Sequence, residues 1–233
     1  MTDFHSHILP GIDDGSASPQ ESVAMLRMEK EQGIQRVAAT PHFDARLDDP
    51  DLFLAKRKKA EADLQLALAG EMGIPDVIAG AEVSFFRGMS HSEFLPQLAI
   101  GDSRCILIEM PLAPWPEEYY RELAQIWELR RLMPVVAHID RYIGPLRTFG
   151  IPDRLADMQV AVQANGDFFL EKRTAAMAMK MLKNNRIQVL GSDCHNMSSR
   201  KPNLGDALER IRDRLGEKAV QRIRDYERLI LSL

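Results

Sequence analysis

Five of the chain's six histidines stand inside or just after short apolar runs, each with polar or acidic company. In Asp3-Phe4-His5-Ser6-His7, the two-residue period of a strand turns both imidazoles to one side, where a single cation can take them together. The next turn, Gly11-Ile12-Asp13-Asp14-Gly15, brings two carboxylates. Four further apolar runs end in Thr40-Pro41-His42, Gly80-Ala81-Glu82, Leu107-Ile108-Glu109 and Val136-Ala137-His138, and a fifth in Ser192-Asp193-Cys194-His195. A carboxylate or imidazole at the end of a buried strand is costly unless something pairs with it, and a cation supplies that partner. Nine candidate ligands result: His5, His7, Asp14, His42, Glu82, Glu109, His138, Asp193 and His195. One cation takes about four to six ligands, so the set suits on the order of two or three divalent ions. Mixed imidazole and carboxylate donors suit Mn, Fe or Zn better than a thiolate-rich zinc site does. Multi-metal centres of this kind suit hydrolysis at phosphorus, where cations activate water and neutralise charge on the attacking and leaving oxygens. Arg141 and Arg200 follow His138 and His195 closely enough to clamp phosphate oxygens in the same mouth.

Each of these residues also has an ordinary reading. A lone histidine beside a strand is usually a packed or surface residue, and Asp13 and Asp14 suit a turn before a capped helix. Five histidines at strand ends are much harder to explain that way. His91 lies in a loop without other signals. A second chemistry is open at Cys194 and Arg200, whose Cys-x5-Arg spacing is the phosphate loop of cysteine-dependent phosphatases. The intervening residues contain no glycine to free the backbone amides, and Asp193 works against a thiolate. The metal reading is therefore preferred. Trp115 and Phe85 are candidates for flanking the site's entrance, although packing suits each of them better.

These side chains need a scaffold that delivers strand ends to one place. Apolar runs at Asp3 to Ile8, Arg36 to Thr40, Val77 to Glu82, Cys105 to Glu109, Val135 to His138, Val160 to Ala164 and Ile187 to Gly191 alternate with helical patterns. That alternation marks stacked βα units with a mainly parallel sheet. A single α/β domain over residues 1–233, a distorted (β/α)7 TIM-like barrel, accommodates all seven runs and places the chemistry at their carboxyl ends. Ser18, Pro19 and Glu21 announce the first helix and Gly33 its end. Later helices are expected over Asp51 to Met72, Pro116 to Leu132, Pro152 to Met158, Glu171 to Asn184 and from Asn203 onward, with a break near Gly216. His91 to Arg104 reads as a loop.

A net charge of −4 with 27% charged residues gives no reason to expect nucleic-acid binding. No apolar run is long enough to span a membrane, and the first residues lack the features of a signal peptide. Two cysteines, Cys105 and Cys194, make no disulfide framework, so a cytoplasmic protein that is not itself membrane-embedded is expected. Oligomeric state is not legible.

The set His5-Ser6-His7-Ile8, Asp13-Asp14-Gly15, Thr40-Pro41-His42, Gly80-Ala81-Glu82, Ala137-His138-Ile139-Asp140-Arg141 and Gly191-Ser192-Asp193-Cys194-His195-Asn196 resembles the polymerase and histidinol phosphatase (PHP) superfamily. Within it, the motifs look most like bacterial manganese-dependent protein tyrosine phosphatases of the capsule and exopolysaccharide type. The resemblance implies a trinuclear centre: His5, His7, Glu82 and Asp193 on one metal, Glu82, Glu109 and His138 on a second, Asp14, His42 and His195 on a third. It also implies phosphate binding by Arg141 and Arg200. A phenolate leaving group needs less general-acid help than an alkoxide, and either Asp14, as a catalytic residue, or a metal-bound water is open as its source. The implied partner is a phosphotyrosine protein, the tail of a tyrosine kinase controlling polysaccharide synthesis. Histidinol phosphate or another phosphoester stays open as the substrate, as does a non-catalytic metal-binding regulatory protein. Phe43 after His42, Asp140 where Glu is frequent, and the missing Asn-Pro element near Asp225 to Glu227 depart from the family pattern.

Overall fold

The computed structural model describes residues 1–143 and 150–233. Its elements run β1 (Thr2–Ser6), α1 (Pro19–Glu31), β2 (Arg36–Ala39), β3 (His42–Phe43), α2 (Pro50–Ala67), β4 (Asp76–Ala79), β5 (Glu82–Ser84), β6 (Cys105–Glu109), α3 (Glu117–Gln125), β7 (Met133–Val136), α4 (Asp140–Ile143), α5 (Ile151–Ala156), β8 (Ala161–Asn165), α6 (Gly166–Leu170), α7 (Ala175–Lys183), β9 (Val189–Gly191), α8 (Leu204–Leu215) and α9 (Glu217–Leu231). Every strand pairing among the described residues is parallel, as the βα alternation requires.

The strands form two ladders, β1-β2-β4 and β3-β5-β6-β7-β8-β9. Backbone hydrogen bonds join the ladders where the expected second and third strands break: Thr40 N–H donates to Ser6 (2.8 Å), Gly80 to Ala39 (2.8 Å) and Glu82 to Pro41 (3.0 Å). Proline at 41 lacks a ladder donor and biases Thr40, which interrupts the second run. At the other break a side chain on Gly80 would meet Ile100 at 2.9 Å, and Arg57 of α2 donates to the Gly80 carbonyl at 2.9 Å. The breaks leave His42 and Glu82 opposite each other in register at the starts of β3 and β5. At the far end, Asp193 N–H donates to His5 and His7 N–H to Cys194, both at 2.8 Å, so the segment after β9 is stitched to β1 and the sheet curls.

Alternate residues of each strand face two different cores, the pattern of a parallel sheet covered on both faces. Phe4, Ala38, Leu107, Val135, Ala161 and Val189 pack inside the curl, where Ile230 of α9 joins them from below. Ile106, Ile108, Val136, Val162 and Leu190 face the helices. Ser18 caps α1 as expected, accepting from Glu21 N–H at 3.2 Å, while the Glu21 carboxylate accepts from Ala17 N–H at 2.9 Å, one residue before the cap.

Several expected boundaries shift. Helix α2 starts from an Asp49 cap and ends at Ala67, short of Met72, because Gly70 and Gly73 take positive φ. The expected Pro116 to Leu132 helix is α3 continued by a π-turn over Ile126–Arg130 that stops at Arg131, itself left-handed at φ 55°. The run from Glu171 to Asn184 is shortened to α7, with α6 preceding it. The expected loop from His91 onward holds a 3-10 turn at Leu95–Leu98. The tail breaks at Gly216 as expected, and no helix among the described residues is long and apolar enough to cross a membrane.

Candidate metal centre

Strand ends and the turns after them bring all nine candidate ligands into one continuous cluster. His5 ends its run inside β1, and His7 lies one residue beyond the strand, yet their Nε2 atoms stand 3.1 Å apart. His138 and Asp193 follow β7 and β9 with φ of 31° and 54°, a left-handed backbone that non-glycine residues adopt at a cost of roughly 1–3 kcal/mol. Surrounding contacts hold that strain in place. Gln163 accepts from His138 N–H at 2.5 Å, and Asp193 N–H is tied to His5. Glycine is required nearby, since a side chain at 191 would lie 2.5 Å from the His5 Cβ, and one at 15 would lie 2.3 Å from the His7 carbonyl.

Glu82 is the hub. Its Oε1 accepts from His138 Nε2 at 2.8 Å, while Oε2 has Nε2 of His5 at 3.2 Å, Nε2 of His7 at 3.3 Å and Nδ1 of His42 at 3.0 Å, none in hydrogen-bonding geometry. Among the described residues, four donor sets of this cluster have atoms within 4.8 Å of one another: His7, Asp14, His42 and His195; His5, Glu82 and His138; His5, His7 and Asp193; His42, Glu82 and Glu109. These overlap the sets that the family resemblance implies and regroup several members, with His5 joining Glu82 and His138. His7 also reaches the Asp14 set, and Glu109 pairs with His42 and Glu82 while remaining 3.6 Å from His138.

The residues fit divalent cations on their own chemistry. His195 Nδ1 donates to the Asp193 carbonyl at 2.9 Å, which leaves the Nε2 lone pair buried, without a partner, and 3.5 Å from Asp14. Burial, with His7 and Arg200 nearby, holds this imidazole down at about 4, so it is a neutral donor at neutral pH. Burial opposes charge on Glu82, but His5, His138 and His42 win and hold it well below the usual carboxylate range. Asp193 is lowered in the same way: burial opposes its charge and His5, His7 and Arg141 overcome it. Two buried carboxylates that stay ionised among imidazoles are a cation-binding arrangement.

Arg141, opening α4, and Arg200 both turn to this cluster. Arg141 Nη2 meets Asp193 Oδ2 at 2.5 Å and Arg200 Nη2 meets Oδ1 at 2.8 Å, and Arg141 also lies 3.6 Å from Glu109. Asp14 is the open flank, its side chain 68% exposed and 3.4 Å from His42. The remaining ligands, apart from His42 and Glu109, are almost fully buried.

Cys194 does not suit the thiol chemistry weighed from its spacing. Its side chain is fully buried on the other side of the backbone, beside Asp3 and Glu29, and burial with those two carboxyls pushes the thiol well above its ordinary value. Trp115 packs against Tyr142 and donates to the Pro111 carbonyl at 3.1 Å, as its packing role implied. Phe85 packs on Tyr119.

Sequence reasoning undervalued three residues. Asp13, read as a turn residue, bonds His7 Nδ1 through Oδ2 at 2.7 Å and accepts from His42 N–H at 3.0 Å and Gly15 N–H at 3.0 Å. Burial raises its pKa, but His7 and the backbone donors prevail and hold it at about 2. Gln163 also faces His5 Nδ1 at 3.4 Å and donates to Asn165, whose amide reaches Asp193 at 3.0 Å. The available signal was polarity inside an apolar strand, Val162-Gln163-Ala164-Asn165.

Fold and cluster together define a parallel α/β protein with a multi-imidazole, multi-carboxylate centre at its strand ends. The chain belongs to the capsular polysaccharide synthesis CpsB/CapC family, whose sequence model it matches over residues 1–228. It is 31% identical to the tyrosine-protein phosphatase CpsB of Streptococcus pneumoniae over 235 residues, 96% of this chain and 94% of that one. In fold it is similar to a crystal structure described with YwqE of Bacillus subtilis and CpsB of Streptococcus pneumoniae as unique metal-dependent tyrosine phosphatases, with a TM-score of 0.87, 25% identity and coverage of 100% of this chain and 94% of that one. A TatD-like protein of Archaeoglobus fulgidus shares the fold alone, at a TM-score of 0.52 and 12% identity over 96% of this chain and all of that one. These neighbours are TIM-barrel-like.

Proposed function

We infer that this chain is a metal-dependent protein-tyrosine phosphatase, a phosphoric monoester hydrolase of capsule or exopolysaccharide synthesis. The observation that carries the reading is Asp193 gripped by Arg141 and Arg200 at the edge of nine clustered imidazoles and carboxylates. That places two guanidinium forks beside a cation-binding centre, the requirement for holding a phosphoryl group while water attacks it. His5, His7, Asp14, His42, Glu82, Glu109, His138, Asp193 and His195 would hold two or three divalent ions, Mn first. Such ions, when bound, activate water and neutralise the charge that builds on phosphate oxygens.

The chain's own groups do the rest. Arg141 and Arg200 orient the non-bridging oxygens, and both guanidinium groups are anchored at one end by Asp193. Asp13 and Gln163 keep the His7 and His5 rings in position. A proton for the leaving oxygen comes either from Asp14, exposed at the mouth, or from water there, and a phenolate, with an ordinary pKa of about 10, needs little such help. We read residues 1–233 as one catalytic unit, a distorted (β/α)7 barrel in which β2 with β3 and β4 with β5 each make one interrupted strand. The setting we propose is cytoplasmic, with the tail of a tyrosine kinase as the phosphorylated partner.

Phosphate release from a phosphotyrosine peptide and from histidinol phosphate, on chelated protein before and after Mn is restored, tests this. Activity that returns with Mn and favours the peptide is expected. Preference for histidinol phosphate would keep the centre and change the substrate, and activity indifferent to chelation would overturn the metal reading.

A further inference from the structure

Beside the centre, the turn after β3 and the segment after β6 enclose a groove of about 310 Å³. Glu109 and Ser84 form its inner wall and belong equally to the cluster's rim, so groove and centre are continuous. The rest of its lining is apolar, Phe85, Met110, Pro111 and Leu112, except for the Arg46 guanidinium. Leu112 is 64% exposed, a large apolar side chain left open to water directly above the site. Arg46 is more open still, at 73% exposed, and it has an ion-pair partner. Asp44 pairs with its guanidinium in a two-pronged contact, Nε to Oδ1 at 2.9 Å and Nη2 to Oδ2 at 2.5 Å, which favours one orientation of the cationic plane.

We propose that this groove is the aryl subsite: the phenyl ring of the phosphoester lies between the Arg46 plane and the Phe85, Pro111 and Leu112 wall. The proposal rests on the phosphatase reading and deepens it. Arg141 touches both Asp193 and Glu109, so a phosphoryl group on Arg141 stands at the groove's inner end. The atoms bonded to its bridging oxygen then extend past Glu109 into the groove. A flat ring matches a guanidinium plane on one face and an apolar wall on the other, whereas a short alkyl or polar chain fills neither contact. The groove therefore selects aryl over alkyl esters by contact with the ring, separately from the greater ease with which a phenolate leaves.

Non-hydrolysable ligands separate those two effects. Phenylphosphonate and methylphosphonate carry the same anionic head and differ in the ring, and their dissociation constants on the Mn-loaded protein can be measured by calorimetry. Wild type is expected to bind phenylphosphonate about ten-fold more tightly, and Arg46→Ala and Leu112→Ala to cut that ratio about three-fold each by loosening the phenyl ligand alone. Both residues are on the surface, so folding is not at stake. An unchanged ratio in both variants, no preference in wild type, or equal weakening of the two ligands would overturn the groove assignment. Hydrolysis of phenyl phosphate is assayed on the same wild-type sample. Its absence alongside an intact binding ratio would strike the phosphatase reading and leave the ring contact standing.

Discussion

At the scale of single residues, the centre is a competition between burial and neighbouring charge. Burial pulls the His5, His7 and His42 imidazoles toward neutrality, but the Glu82, Asp13 and Asp193 carboxylates around them win and raise all three. Metal-free protein therefore holds protons that a cation must displace. Affinity for Mn is expected to climb as pH rises from about 6 to about 8, with proton release visible when calorimetry is repeated in buffers of different ionisation enthalpy. Asp13 fixes which His7 nitrogen faces the centre. Asp13→Asn should weaken Mn binding by roughly 10–100-fold, as loss of an orienting carboxylate does, and equilibrium dialysis against Mn would register it. Retained affinity in that variant would reduce Asp13 to a turn residue. Cys194→Ala should turn over phosphotyrosine within about two-fold of wild type, because the thiol is buried with Asp3 and Glu29 and is no nucleophile.

At the scale of elements, the site depends on where strands stop. His42 and Glu82 reach the cluster because Pro41 and Gly80 break two strands just before them, and the local sequence shows the reason in both cases. His138 and Asp193 are different. Their left-handed backbones follow β7 and β9 at positions that are not themselves glycine, and they persist because Gln163 and His5 grip the chain from other strands. Gly216 separates α8 from α9 at φ 82° and ψ 167°, a region open essentially to glycine. Gly216→Ala should cost about 1–3 kcal/mol and lower the melting temperature by several degrees, with Mn affinity unchanged because the junction is remote from the cluster.

Over the whole molecule, the chain's two ends close on each other. Glu227 of α9 accepts from Thr2 N–H of β1 at 2.9 Å, and its second oxygen is buried without a partner. Burial raises this carboxyl from its ordinary 4.5 to about 7, with the amino terminus and Thr2 opposing. A raised folded-state value means that the protonated form favours folding. The contribution is complete below pH 4.5 and is lost as pH rises through about 7. Glu227→Gln keeps the acceptor for Thr2 and cannot ionise, so its melting temperature is expected to fall less than that of wild type between pH 5 and pH 8 in thermal scans at the two pH values. Parallel falls would remove Glu227 from the account, leaving the buried Glu29 carboxyl, which burial and Asp3 also raise, as the residue to test.

The sequence by itself pointed to the chemistry: imidazoles and carboxylates at the ends of apolar runs are costly to bury alone, and shared cations are partners that suit all of them. It also determined a parallel α/β plan, because apolar runs that alternate with helical periods have few other ways to bury both sheet faces. Tertiary structure decided what depends on distant chain segments meeting. Spacing could not rank Asp13 above an ordinary turn aspartate, since its role exists only where His7 and the His42 backbone converge on it. Nor could it show that Cys194 and Arg200, apt in spacing, face apart, the thiol into the core and the guanidinium to Asp193. The groove of Arg46 and Leu112 was illegible for the same reason. Its lining comes from segments around Arg46, Phe85 and Leu112, distant in sequence, which only the folded sheet brings to one cavity.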